Sequence, residues 1–203
     1  MKFWIFLLIM TQLFAEQYPI FLDAEIQTLQ KINQNRIQDY QFFMRSCKSS
    51  SKIKKLHKVN LYLNNLLGQY DDVIQKQEDK WSTPKEFLTV GYGDCEDYAI
   101  IKYYSLIKLG FDEKKLFITV VKEKFHNSSH MVLSYFRYKG IPPLILDNLS
   151  FKVLNISERT DLKAQVFINS TGVYKMTQNF TLLKIATHSS QFETLQKKIK
   201  NNK

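Results

Sequence analysis

The stretch Thr89-Val-Gly-Tyr-Gly-Asp-Cys-Glu-Asp-Tyr-Ala-Ile-Ile-Lys-Tyr-Tyr-Ser-Leu-Ile-Lys-Leu-Gly110 constrains this chain more than any other. Gly91 and Gly93 mark a tight loop with a permissive backbone. Asp94 has the chemistry of a helix N-cap, and Asp97 stands three residues later, as in a capping box. From Cys95 onward, Ala99, Tyr103, Leu106 and Ile107 recur at helical spacing, and Gly110 supplies the stop. The spacing predicts a mostly buried helix with Cys95 in its first turn, where unpaired N–H groups and the helix dipole favour a thiolate. A cysteine so placed is more often a small buried hydrophobe than a nucleophile. The residues downstream shift the balance.

Past Gly110 the hydrophobic period becomes that of strands. Lys115–Val121 is β-branched and bounded by charge, His130–Arg137 forms a second run after the turn His126-Asn-Ser-Ser129, and Leu144–Asp147 forms a third. Val166–Asn169 and Val173–Met176, joined by Ser170-Thr-Gly172, predict a hairpin. Short connections between consecutive strands predict an antiparallel sheet packed on the Cys95 helix, hence an α+β fold. Upstream, Asp23–Arg36 and His57–Leu67 keep helical spacing on either side of the loop Ser49-Ser-Ser51. Trp81-Ser-Thr-Pro84 opens a further short helix, with Ser82 or Thr83 as its cap and Pro84 in its first turn.

Cys95 on a helix, His130 at a strand start and Asp147 at a strand end form a candidate triad in that order. Cys95 would attack a carbonyl, His130 would take and return the proton, and Asp147 would fix the other ring nitrogen. His126 competes with His130 from four residues earlier, and Asn148 could orient the ring in place of Asp147. Asp94, Glu96 and Asp97 set three carboxylates beside a thiol that must ionise, and like charge opposes that ionisation. Capping explains Asp94 and Asp97 better than Glu96; a bound hard cation would account for all three.

Gly93-Asp-Cys-Glu-Asp-Tyr-Ala, with Ser129-His-Met-Val-Leu and Leu146-Asp-Asn, resembles the bacterial transglutaminase-like cysteine proteinases, in particular their LapG-type periplasmic members. The likeness extends from Val59-Asn-Leu-Tyr-Leu-Asn to Phe167-Ile-Asn-Ser-Thr-Gly-Val-Tyr. It implies a papain-like or transglutaminase-like fold and a calcium-dependent cysteine endopeptidase, with Cys95, His130 and Asp147 as triad and Asp94, Glu96 and Asp97 as calcium ligands. It also implies a substrate and a regulator. LapG-type enzymes cut the N-terminal region of a large surface adhesin, typically at a paired-alanine site. An inner-membrane receptor for cyclic di-GMP holds them back, so that attachment in a biofilm is under control.

The remaining features fit an exported protein. Met1-Lys2 followed by the apolar run Phe3–Met10, with Ala15 before Glu16, predicts a signal peptide over residues 1–15 and a single domain over 16–203. At 203 residues, with 44% hydrophobic content, one domain can bury a proper core. The net charge of +10 comes from dispersed lysines without a nucleic-acid motif, so no nucleic-acid partner is expected, and the Lys-rich tail 197–203 reads as frayed. Export would permit a disulfide between the two cysteines, Cys47 and Cys95, but a free, buried Cys47 is the simpler expectation. Two other functions stay open at this point: a transglutaminase-type acyltransferase using the same triad, and a non-catalytic binding module.

Overall fold

The computed structural model describes residues 2–68 and 80–201, with side chains from 25 to 66 and from 80 to 201. Helix α1 (Lys2–Cys47) runs well past the expected Asp23–Arg36 segment. The side chains of the expected signal segment, residues 1–15, lie outside the described ones. Among the described residues, no helix is long and apolar enough to cross a membrane.

Helix α2 (Lys52–Asn64) starts earlier than its apolar spacing suggests, because the serine loop supplies its cap: Ser51 accepts from the Lys54 amide. It buries Leu56, Val59, Asn60 and Leu63 on one face. Helix α3 (Pro84–Val90) has a complete capping box between Thr83 and Glu86, with Pro84 at its start. Helix α4 (Cys95–Lys108) is buried on almost every side. It ends in a Schellman arrangement, with the Gly110 amide on Ile107 and the Phe111 amide on Leu106.

The sheet has seven strands: β3 (Leu116–Glu123), β4 (Ser129–Tyr135), β5 (Leu144–Asp147), β6 (Ser150–Asn155), β7 (Leu162–Asn169), β8 (Gly172–Met176) and β9 (Leu182–Ala186). Their order is β6-β5-β4-β3-β7-β8-β9, and every neighbouring pair is antiparallel. Strands β6 and β9 are not evident in the sequence because both are edges and neither alternates cleanly between buried and exposed. A second, two-stranded sheet pairs β1 (Leu67–Gly68) in parallel with β2 (Tyr92–Gly93), joining the end of α2 to the loop before Cys95.

Helix α4 packs on β4, β3 and β5, and α2 covers β5 and β6. Tyr98, Tyr103, Ile101, Phe87 and Leu63 fill the space between the layers, and each such aliphatic or aromatic side chain contributes about 1.5–3 kcal/mol by burial. The tail is ordered, against expectation. Helix α5 (Ser190–Asn201) buries Phe192 and Leu195, with the Phe192 ring edge-on to Tyr103. The lysines of this segment mask an apolar stripe of Phe192, Leu195 and Ile199 at helical spacing.

Candidate active site

The loop leading to Cys95 is held from two sides. Gly91 ends α3 in a left-handed conformation (φ 87°), donating its amide to the Phe87 carbonyl. Arg36 of α1 donates to the carbonyls of Leu88 and Thr89, both at 2.9 Å, and so satisfies the end of α3. Gly93 has a different reason to be glycine: a Cβ there would stand 2.7 Å from Asp97 Oδ2 and 2.9 Å from the Phe87 ring. Asp94 then caps α4, accepting from the Asp97 amide at 3.3 Å. The expected reciprocal half of this capping box is not what holds Asp97. Its carboxylate accepts instead from the amide and hydroxyl of Ser82, at 2.8 and 3.1 Å. Ser82 is fixed by the start of α3, so this pair joins α3 to α4 directly beside the cysteine.

Cys95 is the first residue of α4 and is half-buried. Its Sγ donates to Glu96 Oε2 at 3.2 Å. Burial first, and then the Glu96 charge, push the thiol well above its ordinary range, while the Met131 amide works in the opposite direction. The bare helix-start argument for a thiolate is therefore outweighed in this environment. The ring of His130 must supply what the helix does not.

His130 and Asp147 meet because β4 and β5 run antiparallel, with Leu133 opposite Leu146, so that one strand begins where the other ends. His130 Nε2 lies 2.8 Å from Asp147 Oδ1, and both residues are buried. With Nε2 committed to the carboxylate, Nδ1 is the nitrogen that can exchange a proton with the thiol. Helix α4 packs on β4, so the strand that bears His130 lies against the helix that Cys95 opens. Asp147 is fully buried; burial alone would raise its pKa, but His130, the Leu149 amide and Arg159 outweigh burial and bring it down to about 2. It is a carboxylate at every pH at which a protease would work.

Arg159 is the residue that sequence reasoning missed. Its Nη2 donates to Asp147 Oδ2 at 2.8 Å, and its Nε and Nη2 also bind Asp161. Nothing local distinguishes an arginine in the polar run Ser157-Glu-Arg-Thr-Asp161. The available signal was Asp147 itself, since a carboxylate on a buried strand end needs a cation as well as a histidine. The competitors fall away: His126 is exposed and paired with Glu123, and Asn148 Oδ1 is buried with no hydrogen-bond partner among the described residues. Both cysteines are free and Cys47 is buried, so no disulfide occupies the nucleophile.

Residues 24–170 match the family model of the bacterial transglutaminase-like cysteine proteinases. The chain belongs to that family. Calcium-bound LapG of Legionella pneumophila shares 32% identity at a TM-score of 0.74, covering 85% of this chain and 98% of that one. The EGTA-treated form of that LapG gives 31% identity and a TM-score of 0.73, over 85% of this chain and 96% of that one. No curated protein matches the chain significantly. This transglutaminase-like proteinase is accordingly a cysteine protease by family, and its α+β fold is that of LapG.

The acids at the start of α4 bear on a metal in this proteinase. Asp94 and Glu96 set two carboxyls close together at the start of α4, and each disfavours charge on the other. Burial first, and then the charges of Asp97 and Glu96, raise the Asp94 pKa to about 9. Such a pair suits a hard cation, whose charge would offset theirs. Asp97 contributes charge here while its oxygens serve Ser82. Among the described residues, no three His, Cys, Asp or Glu side chains converge as a closed metal cage.

Proposed function

We propose that this protein is a calcium-dependent periplasmic cysteine endopeptidase that cleaves the N-terminal region of a large surface adhesin and so controls attachment in a biofilm. The observation that carries the catalytic part is the buried His130–Asp147 pair, with His130 near the start of β4, the strand on which the helix opened by Cys95 packs. Transfer of the thiol proton to His130 gives a thiolate that attacks the peptide carbonyl. His130 then protonates the leaving amine, and water taken up through the same ring hydrolyses the thioester. Asp147 holds the ring and balances the imidazolium throughout.

The remaining parts follow from the likeness to LapG. Asp94 and Glu96 would hold the calcium, with Asp97 adding its charge; bound there, the ion supplies positive charge beside the thiol. The calcium-bound and EGTA-treated forms of Legionella LapG support this reading. The predicted signal segment supports export to the periplasm. An inner-membrane receptor for cyclic di-GMP is the proposed inhibitory partner.

The test is cleavage of an adhesin N-terminal fragment by residues 16–203, with calcium, with chelator, and with Cys95→Ala. Cutting that is lost in both controls supports nucleophile and metal together. Cutting that survives chelation removes calcium from the proposal. Fragments joined to an added amine would instead identify acyl transfer.

A further inference from the structure

Lys102 has no part in the chemistry described so far, yet its position is costly. It is fully buried in α4, and its ammonium has no hydrogen-bond partner among the described residues. The nearest compensation on its own helix is the face of the Tyr98 ring, 5.8 Å from Nζ. A lysine used only to fill this space would be replaced at less cost by methionine or leucine. Seven residues separate it from Cys95, so the two lie on the same stripe of α4, about 10 Å apart along its axis. Helix α4 itself packs on β4 and β5, the strands that bear His130 and Asp147.

We propose that Lys102 is a positioning residue of the active site, a buried ammonium whose charge acts on Asp147 from within the core and sets how strongly that carboxylate holds the His130 ring. The proposal rests on the protease reading of the triad. Tyr98 lies beside Lys102 on α4; Asp147 is held by His130 of β4 and by Arg159 beyond β6, and the neutral amide Asn64 of α2 donates to its carbonyl at 2.7 Å. Among the described residues, Asp147 is the acid whose charge supports the ammonium, and burial brings the Lys102 pKa down to about 7 against that support. Below neutrality the positive charge therefore weakens Asp147 as an acceptor. Loss of the proton above neutrality strengthens it.

Two magnetic resonance measurements on the whole chain test this without any cleavage assay, so failure of the protease reading leaves them decisive. In the first, the lysine side-chain carbons are followed with pH, and Asp147→Asn is expected to lower the Lys102 midpoint by about one unit. In the second, Lys102→Met at pH 6 is expected to move the proton shared by His130 Nε2 and Asp147 downfield, with a melting temperature equal to or above that of the parent. A Lys102 midpoint indifferent to Asp147→Asn overturns the proposal. So does an unmoved proton in a folded Lys102→Met chain. If Lys102→Met fails to fold, the first measurement decides alone.

Discussion

Arg159 grips Asp147 on the side away from His130: Arg159 Nη2 and His130 Nε2 each lie 2.8 Å from a different carboxylate oxygen. The carboxylate is thus fixed in plane and direction, and the ring it holds is fixed with it. Removing the guanidinium leaves a buried charge short of a partner. Arg159→Met is expected to destabilise the fold by about 3 kcal/mol, read by denaturant titration. In the same chain kcat should fall while KM changes little, because peptide binding does not depend on this pair.

Asp147→Asn probes the other end of that interaction. The amide can still contact His130 but favours the wrong tautomer and cannot balance an imidazolium. The expected loss in kcat/KM is roughly 10²–10⁴-fold. An Asp147→Asn enzyme within a few-fold of the parent would mean that the ring is oriented by something else.

Thiol chemistry gives a direct view of the nucleophile. Cys47 is buried and Cys95 half-buried, so alkylation of the native protein should modify one thiol of the two. Burial and Glu96 hold the Cys95 proton on, which makes its reactivity depend on His130. His130→Ala should slow Cys95 alkylation near neutrality, as followed by mass spectrometry, and leave Cys47 unchanged. Equal rates in parent and variant would detach the histidine from the cysteine.

The depressed pKa of Asp147 has a thermodynamic consequence at low pH. A carboxyl held near 2 when folded, and near its ordinary ~3.9 when unfolded, stabilises the fold fully above the unfolded value. That stabilisation, about 2.6 kcal/mol, is lost as pH falls from roughly 4 toward 2. Stability curves of the parent and Asp147→Asn should therefore converge in that window. Curves that stay parallel down to pH 2 would count against the charged pair.

Calcium should act on stability as well as on cleavage. A ligand at a hundred times its Kd adds about 2.7 kcal/mol to the folded state, so the melting temperature should rise with calcium and fall back with chelator. Asp94→Asn and Glu96→Gln should each blunt that rise. A rise that persists in both variants would place the ion elsewhere.

The parts of this molecule that announce themselves in sequence are those with local signals. The helix start at Pro84, the Asp94 cap, the stop at Gly110 and the apolar run Leu144–Asp147 all appear where the residues place them. The meeting of His130 with Asp147 was legible because Asp147 closes one such element and His130 stands near the start of another. Arg159 was not, since its role depends on a carboxylate twelve residues away and on a strand pairing that no local pattern encodes. The Ser82–Asp97 bond was hidden for the same reason. Strands β6 and β9 escaped notice because an exposed edge does not require alternation.

Helix α5 gives the end of the chain a hand in its chemistry. Lys198 Nζ donates to the carbonyl of Trp81, and the next residue, Ser82, grips Asp97, two positions from the nucleophile. A relay of three contacts thus runs from the last dozen residues to Cys95. Proteolytic trimming before Ser190 would do more than shorten a loose end. It would unseat Trp81, slacken the grip on Asp97 and leave the nucleophile's helix without its brace, so a nick at one extremity could silence the enzyme while leaving every catalytic side chain in the polypeptide.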